Sequence, residues 1–333
     1  MNRTKSKAFF TSNTMILVYV ILAFSVVVAL RQPAFLSPAT PINLCRAGLF
    51  TFCFALCEML VMITGGIDVS FPAIGCVSMY VPMVLYDRGI LPDNGLYFVL
   101  VALLCGLIFG LLNGVLVSYL RIPSLIATLA TSSIASGFLA FAFGVKDLTA
   151  MPTAFTKIYE MNLVTYTDPA SGLSYPLTVL IFVPVVLAVV MALILRYTMG
   201  GRGLYAMGGN LSAARIVGFP VRRLQFTTYI VSGLITSLTA VMYVILMHNA
   251  STTALMGNEM LVIAACVVGG CSLSGGKGTI GGVLLGTLLI TLVQNHLNML
   301  GIDTRWQTLA VGIVLLFGVL MTSLQAGRGK GRV

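Results

Sequence analysis

The chain has 333 residues, 58% of them hydrophobic and only 8% charged, with a formal net charge of +10. Soluble domains carry about 25% charged residues, so this composition, with a mean hydropathy of +1.02, excludes a soluble globular protein. Most basic residues sit in loops between apolar runs, with no basic stripe interleaved by exposed aromatics, which argues against a nucleic-acid partner.

Apolar runs bounded by charges, Pro or Gly predict helices over residues 15–30, 42–63, 70–86, 96–119, 124–143, 176–195, 225–247, 259–271, 279–299 and 306–323. Strand-like alternation is absent, so the expected fold is an all-α polytopic membrane protein of about ten transmembrane helices, forming a single domain over 1–333. The N-terminal stretch "MNRTKSKAFF" is basic, but no small-residue cleavage site follows the first apolar run, so that run reads as an uncleaved helix.

The second predicted helix carries Glu58 at membrane depth. A lone charge there must face protein or water. Arg46 lies about 18 Å away along the same helix and on another face, so the two do not pair within it. The seven cysteines fall in or beside apolar runs without metal-type spacing and read as small buried hydrophobes.

This helix runs into a break, "MITGGIDVSFPAIG", where Gly65 and Gly66 precede Asp68, Ser70 and Pro72. Further on, Asn113 adds a polar group to the fourth helix. Two loops are long: residues 144–175, rich in turn formers and expected to form a lid or docking rim, and residues 196–224, with five Arg and no acid. A long, basic, Gly-studded loop points to a partner protein, with topological anchoring as the alternative.

The eighth segment, 259–271, is short for a bilayer crossing and is expected to be a half-helix or re-entrant element. It ends in "VVGGCSLSGGKGTIGG". Leu273-Ser274-Gly275-Gly276 resembles the signature of an ATP-binding cassette ATPase, and Gly276-Lys277 resembles part of a phosphate loop. The phosphate loop requires G-x-x-x-x-G-K-[ST]. Here the first glycine position is Cys271 and the final hydroxyl position is Gly278, so the motif fails at both ends.

A membrane reading fits better. Gly269, Gly270, Gly275, Gly276, Gly278, Gly281 and Gly282, with Ser272 and Ser274 among them, break a helix and permit close backbone approach. Aligned on their paired glycines, "ITGGIDVS" and "VVGGCSLS" share G-G-x-x-x-S, a pattern that suggests internal duplication and points to a pathway. Near the ninth helix's outer end, Gln294, Asn295, His296 and Asn298 supply hydrogen-bonding groups. The candidate translocation pathway is therefore Glu58, Gly65, Gly66, Asp68, Ser70, Asn113, Gly269, Gly270, Ser272 and Asn295.

Ten spans place both termini on one side, and Lys and Arg settle which. Arg3, Lys5, Lys7, Arg121, Arg196, Arg202, Arg215, Arg222, Arg223, Lys277, Arg328, Lys330 and Arg332 fall on one side, against Arg31, Arg88, Lys146, Lys157 and Arg305 on the other. The excess marks the cytoplasm, so residues 1–14 and 324–333 and the 196–224 loop are expected there.

Four motifs in order, "MITGGIDVS", "LRIPSLIATLAT", "GRGLYAMGGNLSAARIVGFPVRR" and "VVGGCSLSGGKGTIGG", resemble the permease subunits of bacterial ATP-binding cassette importers for simple sugars, the ribose, xylose, galactose and autoinducer type, over about residues 42–323. The resemblance implies an inner-membrane permease that pairs with itself or with a sister chain. It also implies a separate cytoplasmic ATPase that binds ATP and magnesium, a periplasmic sugar-binding protein, and no cofactor or enzymatic centre in this chain. It further implies that Gly208, Gly209, Asn210, Ala213, Ala214, Arg215 and Gly218 present a short helix to that ATPase; Asn210 or Ser212 suits the cap and Arg215 suits acidic groups.

One departure is Phe71-Pro72-Ala73, where the family tends to carry a small-residue triplet containing Gly, so substrate specificity does not carry over. The alternatives are an ion-coupled secondary transporter with Glu58 as proton carrier, and a related permease for branched-chain amino acids or nucleosides.

Overall fold

A computed structural model describes residues 13–169 and 172–297, with isolated positions 306, 309, 312, 313 and 316. The predicted tenth helix, the 324–333 tail, Asn298 and most of the 1–14 segment lie outside the described residues.

Among the described residues the order is α1 (Asn13–Arg31), α2 (Ala39–Ile63), α3 (Phe71–Asp87), α4 (Gly95–Gly114), α5 (Ser124–Phe143), β1 (Asp147–Leu148), α6 (Thr153–Glu160), β2 (Asn162–Thr167), β3 (Ser174–Thr178), α7 (Phe182–Tyr197), α8 (Met199–Gly209), α9 (Leu211–Ile216), α10 (Val221–Met247), β4 (Ala250–Ser251), α11 (Glu259–Val268) and α12 (Ile280–His296). A π-helical turn, Val115–Tyr119, prolongs α4. Six helical stretches are long and apolar enough to cross a membrane: Thr14–Arg31, Ala39–Ile63, Gly95–Tyr119, Ser124–Phe143, Val179–Tyr197 and Val221–Met247. The chain is a polytopic membrane protein.

The core lies around α2, α3 and α10. Residues 52–63 of α2 are buried on every face, the pattern of a helix surrounded by other helices. Exposed apolar side chains such as Leu22, Leu104, Ile126 and Val186 cover α1, α4, α5 and α7, as lipid-facing surfaces require. Lipid gives helices little hydrophobic drive to associate, so close packing must supply it. Gly106, Gly110 and Gly114 form a ridge on α4 against α10: a Cβ on Gly106 would overlap Ser237 Oγ and the Gly233 carbonyl, and one on Gly110 would lie 2.8 Å from the Tyr229 carbonyl. Asn113 of α4 and Ser232 of α10 are both buried along these two helices.

Helix ends follow local chemistry. The side chains of Asn94, Thr198, Asn210 and Thr279 accept hydrogen bonds from the first turns of α4, α8, α9 and α12. Helix α10 begins at Val221, directly after Pro220. The sequence expectation began at 225 because Arg222 and Arg223 read as a loop, but arginines at a membrane helix end extend to the interface. At ten residues α11 is about 15 Å long, half of the roughly 30 Å hydrocarbon layer, so the eighth segment is a half-length helix.

The long loop after α5 is folded onto the bundle end. There β1 pairs with β4, β2 pairs with β3, and Phe155 of α6 packs edge-on against Phe98. Asp93 anchors α6, accepting hydrogen bonds from the Thr153 hydroxyl and from its backbone N–H at 2.7 Å.

Candidate functional site

Two interruptions dominate the interior: residues 64–70 between α2 and α3, and residues 269–279 between α11 and α12. Both begin with the same helix cap. Gly65 N–H donates to the Met62 carbonyl and Gly66 N–H to Val61; Gly270 N–H donates to Val267 and Cys271 N–H to Cys266. Gly65 and Gly270 occupy the left-handed region, with φ of 87° and 91°, where glycine carries no Cβ penalty. Cap geometry therefore matches Gly65 with Gly270, one residue away from the pairing that aligned glycine pairs gives.

Past the cap the two diverge. In the first break residues 68–70 are buried and lie in neither helix nor sheet, so their N–H groups need other partners. Ile67 N–H donates to Ser124 Oγ at 3.1 Å, Asp68 N–H to both Glu58 carboxylate oxygens at 3.2 and 3.4 Å, Val69 N–H to Thr128 Oγ1 at 3.2 Å, and Ser70 N–H to Asp68 Oδ1 at 2.8 Å. Ser124 and Thr128, one turn apart on α5, thus serve alternate residues of the break, Ile67 and Val69. The Asp68 carboxylate also accepts from Ser70 Oγ and, at 3.3 Å, from Ser232 Oγ of α10. Asn113 Nδ2 of α4 donates to Ser70 Oγ at 2.8 Å. Glu58, Asp68, Ser70 and Asn113 thus form one buried network, none of them more than 2% exposed.

The second break is satisfied mainly by its own backbone and lies nearer the surface. Ser272 N–H donates to the Lys277 carbonyl at 3.1 Å, and Gly275 N–H to Ser272 at 3.0 Å. It reaches outside itself at two points. Gly276 N–H donates to the Ile63 carbonyl, the last residue of α2, at 2.9 Å, and Tyr205 of α8 donates its hydroxyl to the Gly278 carbonyl at 2.8 Å.

Helix α8 closes the junction. A Cβ on Gly208 would overlap the Ile63 carbonyl and stand 2.5 Å from Gly276 N, while one on Gly275 would lie 2.8 Å from Gly65 Cα and 2.9 Å from the Gly208 carbonyl. Main chain from α8 and from both breaks therefore meets with no side chain between. Asn210 follows as the cap of α9, accepting from Ala213 N–H at 3.0 Å. Ala214 is buried, whereas Ile216 and Val217 are 87% and 74% exposed; α9 ends at Ile216 and Gly218 follows with φ of 93°. Beside it a cleft of about 440 Å³ is lined by Thr64, Gly65, Ser124 and three arginines, Arg121, Arg215 and Arg222.

Of the sequence candidates, Gly65, Gly66, Gly269, Gly270 and Ser272 line the breaks, and Gly208 and Gly209 lie at the junction. Asn295 lies apart, at the opposite end of the bundle, donating Nδ2 to the Thr291 carbonyl at 2.8 Å. Sequence reasoning missed Ser124, Thr128, Ser232 and Tyr205. The first two lie inside "LRIPSLIATLAT", where an i, i+4 pair of hydroxyls on a membrane helix was the available signal.

Residues 41–319 match the family described as branched-chain amino acid transport system / permease component. The chain is 33% identical to the L-arabinose ABC transporter permease of Azospirillum brasilense, covering 91% of this chain and 86% of that one. It is also 33% identical to the ribose import permease of Bacillus subtilis, covering 89% and 88%, and 30% identical to the fructose import permease of Bifidobacterium longum, covering 83% and 80%. No solved structure matches the chain. With most of its length matched, the chain belongs to the branched-chain amino acid transport system permease family.

Proposed function

We propose that this chain is the membrane-spanning subunit of an ATP-driven importer for a monosaccharide or similar small polyol. It lies in the bacterial inner membrane as one domain, with ten helices and both termini in the cytoplasm. It pairs with a second permease, takes solute from a periplasmic sugar-binding protein, and is driven by a separate cytoplasmic ATPase that binds ATP and magnesium. The relatives named for arabinose, ribose and fructose support the substrate class.

The observation that carries the coupling role is the main-chain junction of Gly208 with Ile63, Gly275 and Gly276. A force on α9 passes through the eleven-residue α8 and reaches both helix breaks without crossing a flexible side chain. The exposed Ile216 and Val217, next to Arg215 and the arginine-lined cleft, suit a partner groove with an apolar floor and acidic rim. Glu58, Asp68, Ser70 and Asn113 hold the first break closed as a polar latch along the pathway.

The test is co-purification from detergent-solubilised membranes, comparing the intact chain with Ala214→Arg plus Arg215→Glu. An ATPase retained by the first and lost by the second, at equal expression, is the expected result. Uptake of arabinose, ribose and fructose against leucine then assigns substrate class. Solute movement by the chain alone, without any ATPase, contradicts the reading.

A further inference from the structure

The end of the bundle opposite α8 and α9 holds a cleft of about 370 Å³ between α2, α10 and α12, within the range of small-molecule sites. On α2 it is lined by Asn43, Arg46, Ala47 and Phe50, spaced i, i+3, i+4 and i+7 and therefore on one face. Asn295 and His296 contribute from α12. Arg46 lies seven residues into α2, about 10 Å along its axis, and makes no ion pair among the described residues. A guanidinium within a membrane helix requires water or polar protein around it, and Asn43, Asn295 and His296 line the same cleft.

Its chemistry suits hydroxyls. Phe50 offers an aromatic face, held by Tyr243 at a centroid distance of 5.2 Å. Asn295 spends Nδ2 on the Thr291 carbonyl, and its Oδ1 is available to accept from a solute. The described lining contains no carboxylate to receive an ammonium group, which disfavours a free amino acid. Below Asn295 on the same face of α12, Thr291 and Thr287 have buried hydroxyl oxygens with no partner among the described residues. Thr291 Oγ1 would lie 3.7 Å from a Cβ on Gly48 of α2. Buried hydroxyls without partners are uncommon, and two of them continue the polar line inward from the cleft.

We propose that this cleft is a solute site at the outer mouth of the pathway. It takes a monosaccharide-sized polyol released by the receptor, with the C–H face of the sugar on Phe50 and hydroxyls on Asn43, Arg46 and Asn295. The inference rests on the sugar-importer reading and on the outward placement of this end.

The test uses the assembled importer in intact cells, with Ala47→Cys in a Cys45→Ser background, a membrane-impermeant maleimide, and ribose, arabinose and fructose as probes. The expected result is labelling from outside that a transported sugar slows and leucine does not. Arg46→Gln and Phe50→Leu are expected to raise the KM for uptake about tenfold, as loss of one anchoring contact does, with ATP hydrolysis and expression unchanged. Absence of labelling, labelling that a transported sugar leaves untouched, or an unchanged KM in both variants overturns the inference. Uptake of leucine in place of all three sugars overturns the sugar reading as well, and is recognised separately by the uptake itself.

Discussion

The two helix breaks start from the same cap and end as opposite devices. After Gly65 the chain stays buried, and its N–H groups are met by carboxylate and hydroxyl side chains from α2 and α5, with α4 and α10 joining through Asn113 and Ser232. After Gly270 the chain satisfies itself, exposes Leu273, Ser274 and Lys277, and touches its neighbours through bare backbone. A side-chain network fixes one geometry, because each member has a definite partner. A glycine contact resists compression while allowing its parts to slide. On the proposed reading, the first break is the latch and the second the linkage to the 196–224 loop.

The largest expected effect separates these roles at Glu58. Glu58→Leu removes the acceptor for Asp68 N–H and leaves a buried donor unsatisfied, at a cost of about 1–3 kcal/mol; thermal unfolding in detergent should show a clear drop. Glu58→Gln keeps an acceptor oxygen and should retain near-normal stability and ATP-driven uptake. If Glu58→Gln abolishes uptake at full stability, the carboxyl carries protons and the latch reading fails.

At the second break, Gly275→Ala places a Cβ on a residue with φ of 86° and 2.8 Å from Gly65. A loss of about 1–3 kcal/mol is expected from overpacking. Lys277→Ala, at an exposed position three residues before the start of α12, should be silent in the same assay. Equal effects from the two would mean that backbone proximity at the junction is unimportant.

The smallest effect concerns neither break and serves as a control at the far end. Hydrogen bonds from the Thr153 hydroxyl and backbone, and from Tyr86, hold the Asp93 carboxyl below its ordinary value. A carboxyl whose pKa is lowered by folding contributes its stabilisation above the unfolded value, near 3.9, and loses it as pH falls through the folded value. Limited proteolysis of the 144–178 segment should therefore be constant from neutral pH down to about the ordinary carboxylate range and rise only below it, and Asp93→Asn should flatten that rise.

Much of this was legible in the sequence. Apolar runs and their punctuation located the long apolar helices, since a bilayer demands such segments, and paired glycines marked both breaks; the short α6 and α8, inside stretches read as loops, were not located because neither is a long apolar run. Glu58 could be recognised as a residue needing a protein partner, though not which one, because its partner is a backbone N–H ten residues on that exists only once the chain unwinds. The alignment of the two breaks was off by one because identity between glycines does not reveal which has positive φ. The junction at Gly208 was hidden for another reason: its contacts join positions 63, 208 and 276, and glycine has no side chain whose chemistry announces a partner. The short helix α9 was expected from the family resemblance, and its cap was legible, since Asn210 accepts from the Ala213 N–H.

The central claim is that Gly208 transmits between the ATPase and both breaks, and the direct measurement is sugar imported per ATP hydrolysed by the reconstituted complex carrying Gly208→Ala. The predicted result is an ATPase that still binds and hydrolyses ATP while uptake per ATP falls about tenfold or more, the scale of about 1.4 kcal/mol in coupling. An unchanged ratio in a fully assembled complex would contradict the account.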